Sequence, residues 1–323
     1  MPSQVADIME HGHGITAIDT DYIRPILDAS HLIVENGRAA FVDTGPNLSV
    51  PLLLDALRQQ DVDTADVDYV FLTHVHLDHA GGAGELMKHL PNARAVVHPR
   101  GVTHLTDPTR LIRGATQVYG EQGFRQMFGD VVPIEEKRLL PTDDLQQFEL
   151  AGRSLQCFFT EGHARHHYCL WDATSAGVFT GDSFGVSYRE LDTANGEFIF
   201  PTTTPIDFDP PEAHKSIDRV MSYEPEQIFL THYSRVTGLE RLADDMHHSI
   251  DFFAWLATGH AHDRHRTAAI EKGMFDYFMT RLQSHGFEGG ADRVHELLDF
   301  DISLNTMGLE VWLDRNEKNN TAT

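Results

Sequence analysis

The stretch Thr73-His74-Val75-His76-Leu77-Asp78-His79-Ala80-Gly81-Gly82 governs how the rest of the chain is read. It follows directly on the apolar run from Tyr69 to Thr73, which reads as a short buried strand. At a strand end, residues two apart project to the same side, so His74 and His76 can grip one metal ion. A turn then lets Asp78 and His79 reach a second, and Gly81 and Gly82 permit the tight backbone that this requires.

On either side of this stretch, the same pattern of strand followed by polar residue recurs. Ile15 to Ile18 reads as a strand. His31 to Glu35 and Arg38 to Asp43 flank Asn36-Gly37 and read as a hairpin, because Asn-Gly between two apolar runs is the strongest two-residue turn signal. Leu52, Leu53, Leu54 and Leu57 make a helix preceded by Ser49 and Pro51. A helix around Leu86 to Leu90 and a strand from Ala93 to His98 follow, and residues 100 to 140 read as helical with loops. Phe148 to Thr160, Tyr168 to Asp172 and Gly177 to Thr180 form a second set of strands, closing again on His and Asp residues.

Residues 184 to 208 have no clear period and exceed the usual loop length, which marks a functional loop. Asp209-Pro-Pro-Glu212 sets a capping Asp, an early Pro and a Glu three residues on at the start of the next helix, and a strand from Gln227 to Leu230 ends at Thr231-His232. Beyond about residue 240 the pattern is helical only. The expected architecture is α/β, an αββα four-layer sandwich over residues 1–240, with a helical extension at 241–323 packed near the active-site mouth.

His74-x-His76-x-Asp78-His79, followed by Gly162-His163, Gly181-Asp182 and Thr231-His232, resembles the metallo-β-lactamase-fold hydrolases, and within them the glyoxalase II-type branch. The resemblance covers roughly residues 13 to 235, with all seven ligand positions in the family's order. It implies one metal held by His74, His76 and His163, a second by Asp78, His79 and His232, and Asp182 bridging them. An aspartate at 182, where many β-lactamases of the fold carry cysteine, favours ester, thioester or lactone chemistry over antibiotic hydrolysis.

Two divalent ions about 3.5 to 4 Å apart can hold a hydroxide between them near neutral pH, and that hydroxide attacks a carbonyl polarised by one of the metals. Asp78 is the expected catalytic residue, shuttling the proton of the bridging water. Imidazole and carboxylate donors without a thiolate suit zinc, and also iron or manganese. The alternatives are a persulfide dioxygenase with a single iron and a phosphodiesterase of the same fold. The intact second-site residues Asp78, His79 and His232 argue for two metals, and the charge argues against a nuclease. A flavodiiron reductase would have Glu in place of His76 and a flavin domain, and a binding protein on a dead scaffold would not need a complete ligand set.

The composition fits a globular protein. The 323 residues are 41% hydrophobic, and 25 Lys plus Arg against 49 Asp plus Glu give a formal charge of −24. Such a surface repels phosphate backbones and anionic lipid headgroups, so nucleic acid and membranes are not expected partners; the small-molecule substrate is what the resemblance implies. The acidity is spread along the chain, and only five of the basic residues are lysine, a bias that would suit a salty cytoplasm or follow from a GC-rich genome. The start MPSQVADIMEHGHG lacks the regions of a signal peptide and no run is long enough to span a membrane, so a cytoplasmic protein is expected.

Other residues are candidates for supporting the metals or touching substrate. The resemblance makes Asp43, in Asp-Thr-Gly, a brace for the metal-binding loop. His166 and His167, in Gly-His-Ala-Arg-His-His, either hydrogen-bond a ligand or simply pack. Tyr188, Arg189 and Tyr233 are candidate substrate contacts. His11 and His13 read as a polar terminus, and His247, His248, His260, His262 and His265 as a solvated face or loop, with apolar stripes nearby that are core or a homodimer contact. Glutathione-binding basic residues in the register of glyoxalase II enzymes are missing from Ser183 to Phe198, and Gly185 stands near where lactonases of the fold place a Tyr, with Tyr188 further on.

Overall fold

Two runs of short apolar strands become two mixed sheets in the computed structural model, which describes residues 5–203 and 206–321. The first residues of the N-terminal stretch and residues 204 and 205 of the long loop lie outside the described residues. The first sheet takes β1 (Ile8–Gly12), β2 (Ile15–Asp19), β3 (Ala29–Glu35), β4 (Arg38–Val42), β5 (Val67–Leu72), β6 (Arg94–Val97) and β7 (Leu139–Pro141) in sequence order. It is antiparallel as far as β4 and parallel from β4 to β7. Asn36 and Gly37 turn the β3–β4 hairpin with φ of 47° and 78°, the positive pair that matches the twist of the flanking strands.

The second sheet runs in the order β13 (Ser234–Val236), β12 (Gln227–Leu230), β11 (Gly177–Gly181), β10 (Tyr168–Asp172), β9 (Arg153–Phe159) and β8 (Gln147–Leu150). The apolar run from Phe148 to Thr160 divides at Ala151-Gly152, whose φ of 50° and 96° fold it into the β8–β9 hairpin. β8 alternates exposed Gln147 and Glu149 with buried Phe148 and Leu150, the period of a strand with one wet face. β4, covered on both faces, has no such alternation.

Between the sheets, Ile33, Phe71 and Val96 from one pack with Phe148, Leu155, Tyr168, Leu170 and Phe179 from the other. Three helices follow β4 and β5: α1 (Val50–Gln59), the short α2 (Leu77–Ala80) that continues the metal-binding stretch, and α3 (Ala83–His89). On the far face of the first sheet, Leu53 and Leu57 of α1 join Leu86 of α3 against Phe41 and Val70. Each large side chain buried in this way contributes about 1.5–3 kcal/mol. After β6 come α4 (Val102–Thr106) and α5 (Thr109–Phe128). The architecture is the αββα sandwich with a C-terminal helical bundle.

The chain divides into two compact units. One comprises residues 1–159, 166–181 and 223–236 and contains both sheets; the other comprises residues 160–165, 182–222 and 237–323. The second contains α6 (Pro210–Met221), α7 (Leu239–Gly259), α8 (Arg266–His285) and α9 (Ala291–Thr321). The Asp209 side chain caps α6 by accepting from the Glu212 amide. Leu242, Met246, Ile250 and Phe253 of α7, with Ile270, Met274 and Phe278 of α8, are buried, as their helical spacing requires.

The long loop of residues 184 to 208 is packed rather than open. Phe184, Phe198, Phe200 and Phe208 are buried, Val186 pairs with Phe200, and the Thr203 amide donates to Asn305 Oδ1 of α9 at 2.6 Å. Aromatic anchors and single backbone pairings hold it, so it has no sequence period. Among the described residues, no helix is long and apolar enough to cross a membrane.

Candidate metal centre

Three strand ends are tied together by one carboxylate. Asp43, just past β4, has a φ of 56°, a left-handed conformation that costs a residue with a Cβ roughly 1–2 kcal/mol. It is buried, and its carboxylate accepts the Thr73 amide at 2.8 Å, the Thr73 hydroxyl at 2.8 Å, the Thr231 hydroxyl at 2.9 Å and an N–H from His79 Nδ1 at 2.8 Å. Thr73 follows β5 and Thr231 follows β12, so the brace expected at Asp43 spans both sheets and α2. The His79 carbonyl is held in turn by the Thr44 amide at 2.7 Å.

The turn expected after His76 is a single turn of helix, α2, entered from an extended His76. Asp78 and His79 are adjacent on it, and His232 faces them from the end of β12. His79 Nε2 lies 3.8 Å and His232 Nε2 3.5 Å from Asp78 Oδ2. The rear nitrogen of each imidazole is anchored, since His79 Nδ1 meets Asp43 and His232 Nδ1 meets the Leu27 carbonyl at 3.0 Å. Both acceptors require the proton on Nδ1, which leaves the Nε2 lone pair turned toward Asp78.

His74 and His76 form a second pair, with Nε2 of the first 2.9 Å from Nδ1 of the second and His74 Nδ1 3.2 Å from the Thr73 hydroxyl. His167 stacks on His74 with ring centroids 4.9 Å apart, and His166 meets the His76 ring edge-on at 5.8 Å. These two histidines thus form a wall of rings around the pair. Gly181 has no room for a side chain here, because a Cβ would lie 2.6 Å from Thr73 Oγ1 and 2.7 Å from His167 Nε2.

In the second unit, His163 Nε2 lies 3.4 Å from Asp182 Oδ2, and His163 Nδ1 is 3.2 Å from the Thr202 carbonyl. The pair opens on a small cleft lined by Ser183, Phe208, Ala213 and Met246. Gly162 approaches α6 so closely that a Cβ would sit 2.4 Å from the Ala213 amide nitrogen.

Among the candidate substrate contacts, Tyr188 is buried and its hydroxyl meets Asp301 Oδ1 at 2.8 Å. The Arg189 guanidinium is turned onto the Ser187 carbonyl and the Asp192 carboxylate. Tyr233 is buried beside Ala17 and Ala29. One carboxyl near the centre had no signal in the sequence. Asp28 is fully buried, accepts the Thr20 hydroxyl at 2.8 Å, and is pushed up to about 7 by burial, with His232 and His79 opposing the rise.

The donors fit a divalent ion. Ligands held at 2.0–2.2 Å around a tetrahedral ion lie about 3.3–3.6 Å apart, close to the 3.5 and 3.8 Å measured from Asp78 to the two imidazoles. The ligand atoms of Asp78, His79 and His232 fall within 4.8 Å of one another, and oxygen with imidazole nitrogen is the donor chemistry of zinc, iron and manganese alike. These clusters supply the donor set of a divalent-metal site.

A model of the metallo-beta-lactamase superfamily matches residues 27–232, and the chain belongs to that superfamily. It is 28% identical over 170 residues to a metallo-beta-lactamase fold-containing protein of Sulfurisphaera tokodaii, a stretch covering 51% of this chain and 60% of that protein. It is 25% identical over 156 residues to an atrochrysone carboxyl ACP thioesterase of Aspergillus chevalieri, covering 48% of this chain and 39% of that enzyme. The chain thus spans less than two thirds of the length of these curated relatives. Among solved structures, a metallo-beta-lactamase family protein from Thermus thermophilus superposes with a TM-score of 0.65 at 16% identity, covering 94% of each chain. An archaeal superfamily protein from Sulfolobus tokodaii superposes with a TM-score of 0.62 at 20% identity, covering 92% of this chain and 98% of that one. At such identities the likeness is one of fold.

Proposed function

We propose that this member of the metallo-β-lactamase superfamily is a dinuclear metal-dependent hydrolase of a small ester, thioester or lactone, of the glyoxalase II type. The observation that carries the reading is the anchoring of His79 and His232 through Nδ1, which aims both Nε2 atoms at the Asp78 carboxylate. His74, His76 and His163 would hold one ion, Asp78, His79 and His232 the other, and Asp182 both. Chain connection supports the inclusion of the two donors from the second unit. Asp182 is one Cα–Cα step, about 3.8 Å, beyond the last residue of β11, and His163 lies on the short link between β9 and β10.

When bound, such a pair of ions supplies Lewis acidity, lowering the pKa of a water toward about 7 and polarising a carbonyl. The protein's own part is to orient and to move a proton. Asp78 is the one donor of its cluster that is not buried, so its carboxylate can take the proton of the attacking water and return it to the leaving oxygen or sulfur. Asp43 keeps His79 in the tautomer that presents Nε2.

The thioesterase among the relatives and the aspartate at 182 both favour acyl transfer to water. A glutathione thioester is less favoured, because Arg189, the one basic residue between Ser183 and Phe198, is engaged by Ser187 and Asp192. The test is a panel of lactones, thioesters, aryl esters and phosphodiesters offered to the metal-reconstituted enzyme, alongside elemental analysis. Turnover of a carbonyl substrate with at least two metals per chain is expected. One iron per chain with oxygen consumption on a persulfide, or cleavage of phosphodiesters alone, would overturn the reading.

A further inference from the structure

Away from this centre, α6 and α7 each carry a histidine and, four residues on, an aspartate: His214 and Asp218 on one, His247 and Asp251 on the other. The pairs are crossed. His214 Nε2 lies 3.1 Å from Asp251 Oδ1, His247 Nε2 lies 3.3 Å from Asp218 Oδ1, and the two Nδ1 atoms face one another at 2.6 Å across rings stacked 9° from parallel. Sequence pattern alone puts His247 on a solvated face, because its partner is 33 residues away on another helix.

Counting hydrogens shows what this arrangement lacks. Three polar contacts run in a line from carboxylate to imidazole to imidazole to carboxylate, and each needs one hydrogen. Two neutral imidazoles supply only two. With both Nε2–H groups donated to the carboxylates, the two Nδ1 lone pairs converge, and a cation, either a third proton or a metal ion, must stand between them. Carboxylate partners on the rear nitrogens of two converging histidines are the usual supporting arrangement of a histidine metal site.

We infer that His214 and His247 form a second metal site, binding one zinc-class divalent transition ion through their Nδ1 atoms between α6 and α7, with Asp251 and Asp218 orienting the rings. Nitrogens held at 2.0–2.1 Å around a tetrahedral ion are about 3.3 Å apart, so the rings need to part by roughly 0.7 Å. The side chains are free to do so, since the histidine side chains are 26% and 29% exposed and those of Asp251 and Asp218 76% and 74%. Solvent completes the coordination on the open side. The ion would clip α6 to α7 next to Ala213 and Met246, which line the cleft of His163 and Asp182.

The test is equilibrium dialysis of the metal-loaded enzyme against buffered free zinc, with metal counted per chain. The wild type is expected to bind one ion more than the double variant His214→Ala/His247→Ala, whatever the count at the main centre. His247→Gln alone, a milder surface change, should also lose that ion. Asp218→Asn and Asp251→Asn should keep it with about tenfold weaker affinity. Equal metal counts in the wild type and the histidine variants would overturn the site, and unchanged affinity in both aspartate variants would overturn the orienting role. Neither result depends on whether any substrate is hydrolysed.

Discussion

Two places in this molecule aim imidazole nitrogens at a common point, and they are built from opposite materials. At the strand ends, His79 and His232 are buried, and their rear nitrogens rest on a buried carboxylate and a backbone carbonyl. Between α6 and α7, His214 and His247 are partly exposed and rest on exposed carboxylates. The first arrangement is fixed by the packing of two sheets and by buried hydrogen bonds. The second is held by surface side chains that water and salt compete for. Preorganisation of this kind separates a centre suited to chemistry from one suited to binding.

The contrast is tested most severely at Asp78. Asp78→Asn keeps the shape of the side chain and removes its charge, so hydrolysis should fall by about 10²–10⁴-fold, with an unchanged urea midpoint for the metal-free protein; undiminished turnover would remove Asp78 from the chemistry. Asp43→Ala should act through the fold instead. It leaves the Thr73 amide, two threonine hydroxyls and His79 Nδ1 without their acceptor, and each orphaned buried donor costs about 1–3 kcal/mol. A loss of at least ~3 kcal/mol in urea unfolding is expected, together with lost metal. A loss below about 1 kcal/mol, the least that one orphaned donor costs, would show that the strand ends do not depend on the brace.

Burial also makes a pH prediction. His31 is pushed down to about 3 by burial, with His11 adding to the fall, and His11 is lowered to about 4 by its own burial and by Arg235. Below the ordinary histidine pKa of about 6.5, the unfolded chain takes up protons that the folded chain refuses. The part of the stability that these two histidines carry therefore declines as pH falls from about 6.5 toward about 4. Asp28, pushed up to about 7 by burial, acts in the opposite sense, because there the folded chain takes up its proton first. His31→Gln should therefore raise the urea midpoint at about pH 5 relative to that at about pH 7 when compared with the wild type; an identical pH dependence in the variant would show that His31 contributes nothing to it. The smallest effect is expected at the helix pair, where Asp218→Asn in metal-free buffer should change stability by less than about 0.5 kcal/mol, as exposed ion pairs do.

Much of the centre was legible because its signals are local. His74-x-His76-x-Asp78-His79 after an apolar run marks candidate ligands by spacing, and the Asn36-Gly37 turn and the Asp209 cap depend on residues within one turn of each other. The division of Phe148 to Thr160 at Ala151-Gly152 was less clear, since apolar residues continue through the turn. The packing of the loop at 184 to 208 was not readable, because Phe198, Phe200 and Thr203 find their partners in helices far along the chain.

Residue types and local spacing marked His74, His76, Asp78 and His79 as candidate ligands, because ligand chemistry belongs to the side chain and its projection to strand and turn geometry; the family resemblance added His163, Asp182 and His232. Which nitrogen of His79 and His232 is anchored, and which residues anchor it, depends on contacts between distant parts of the chain. The Leu27 and Thr202 carbonyls that orient His232 and His163 are backbone atoms that every residue has, and so leave no mark in a sequence. The same holds for His214 and His247, which look like surface histidines until two helices bring them face to face.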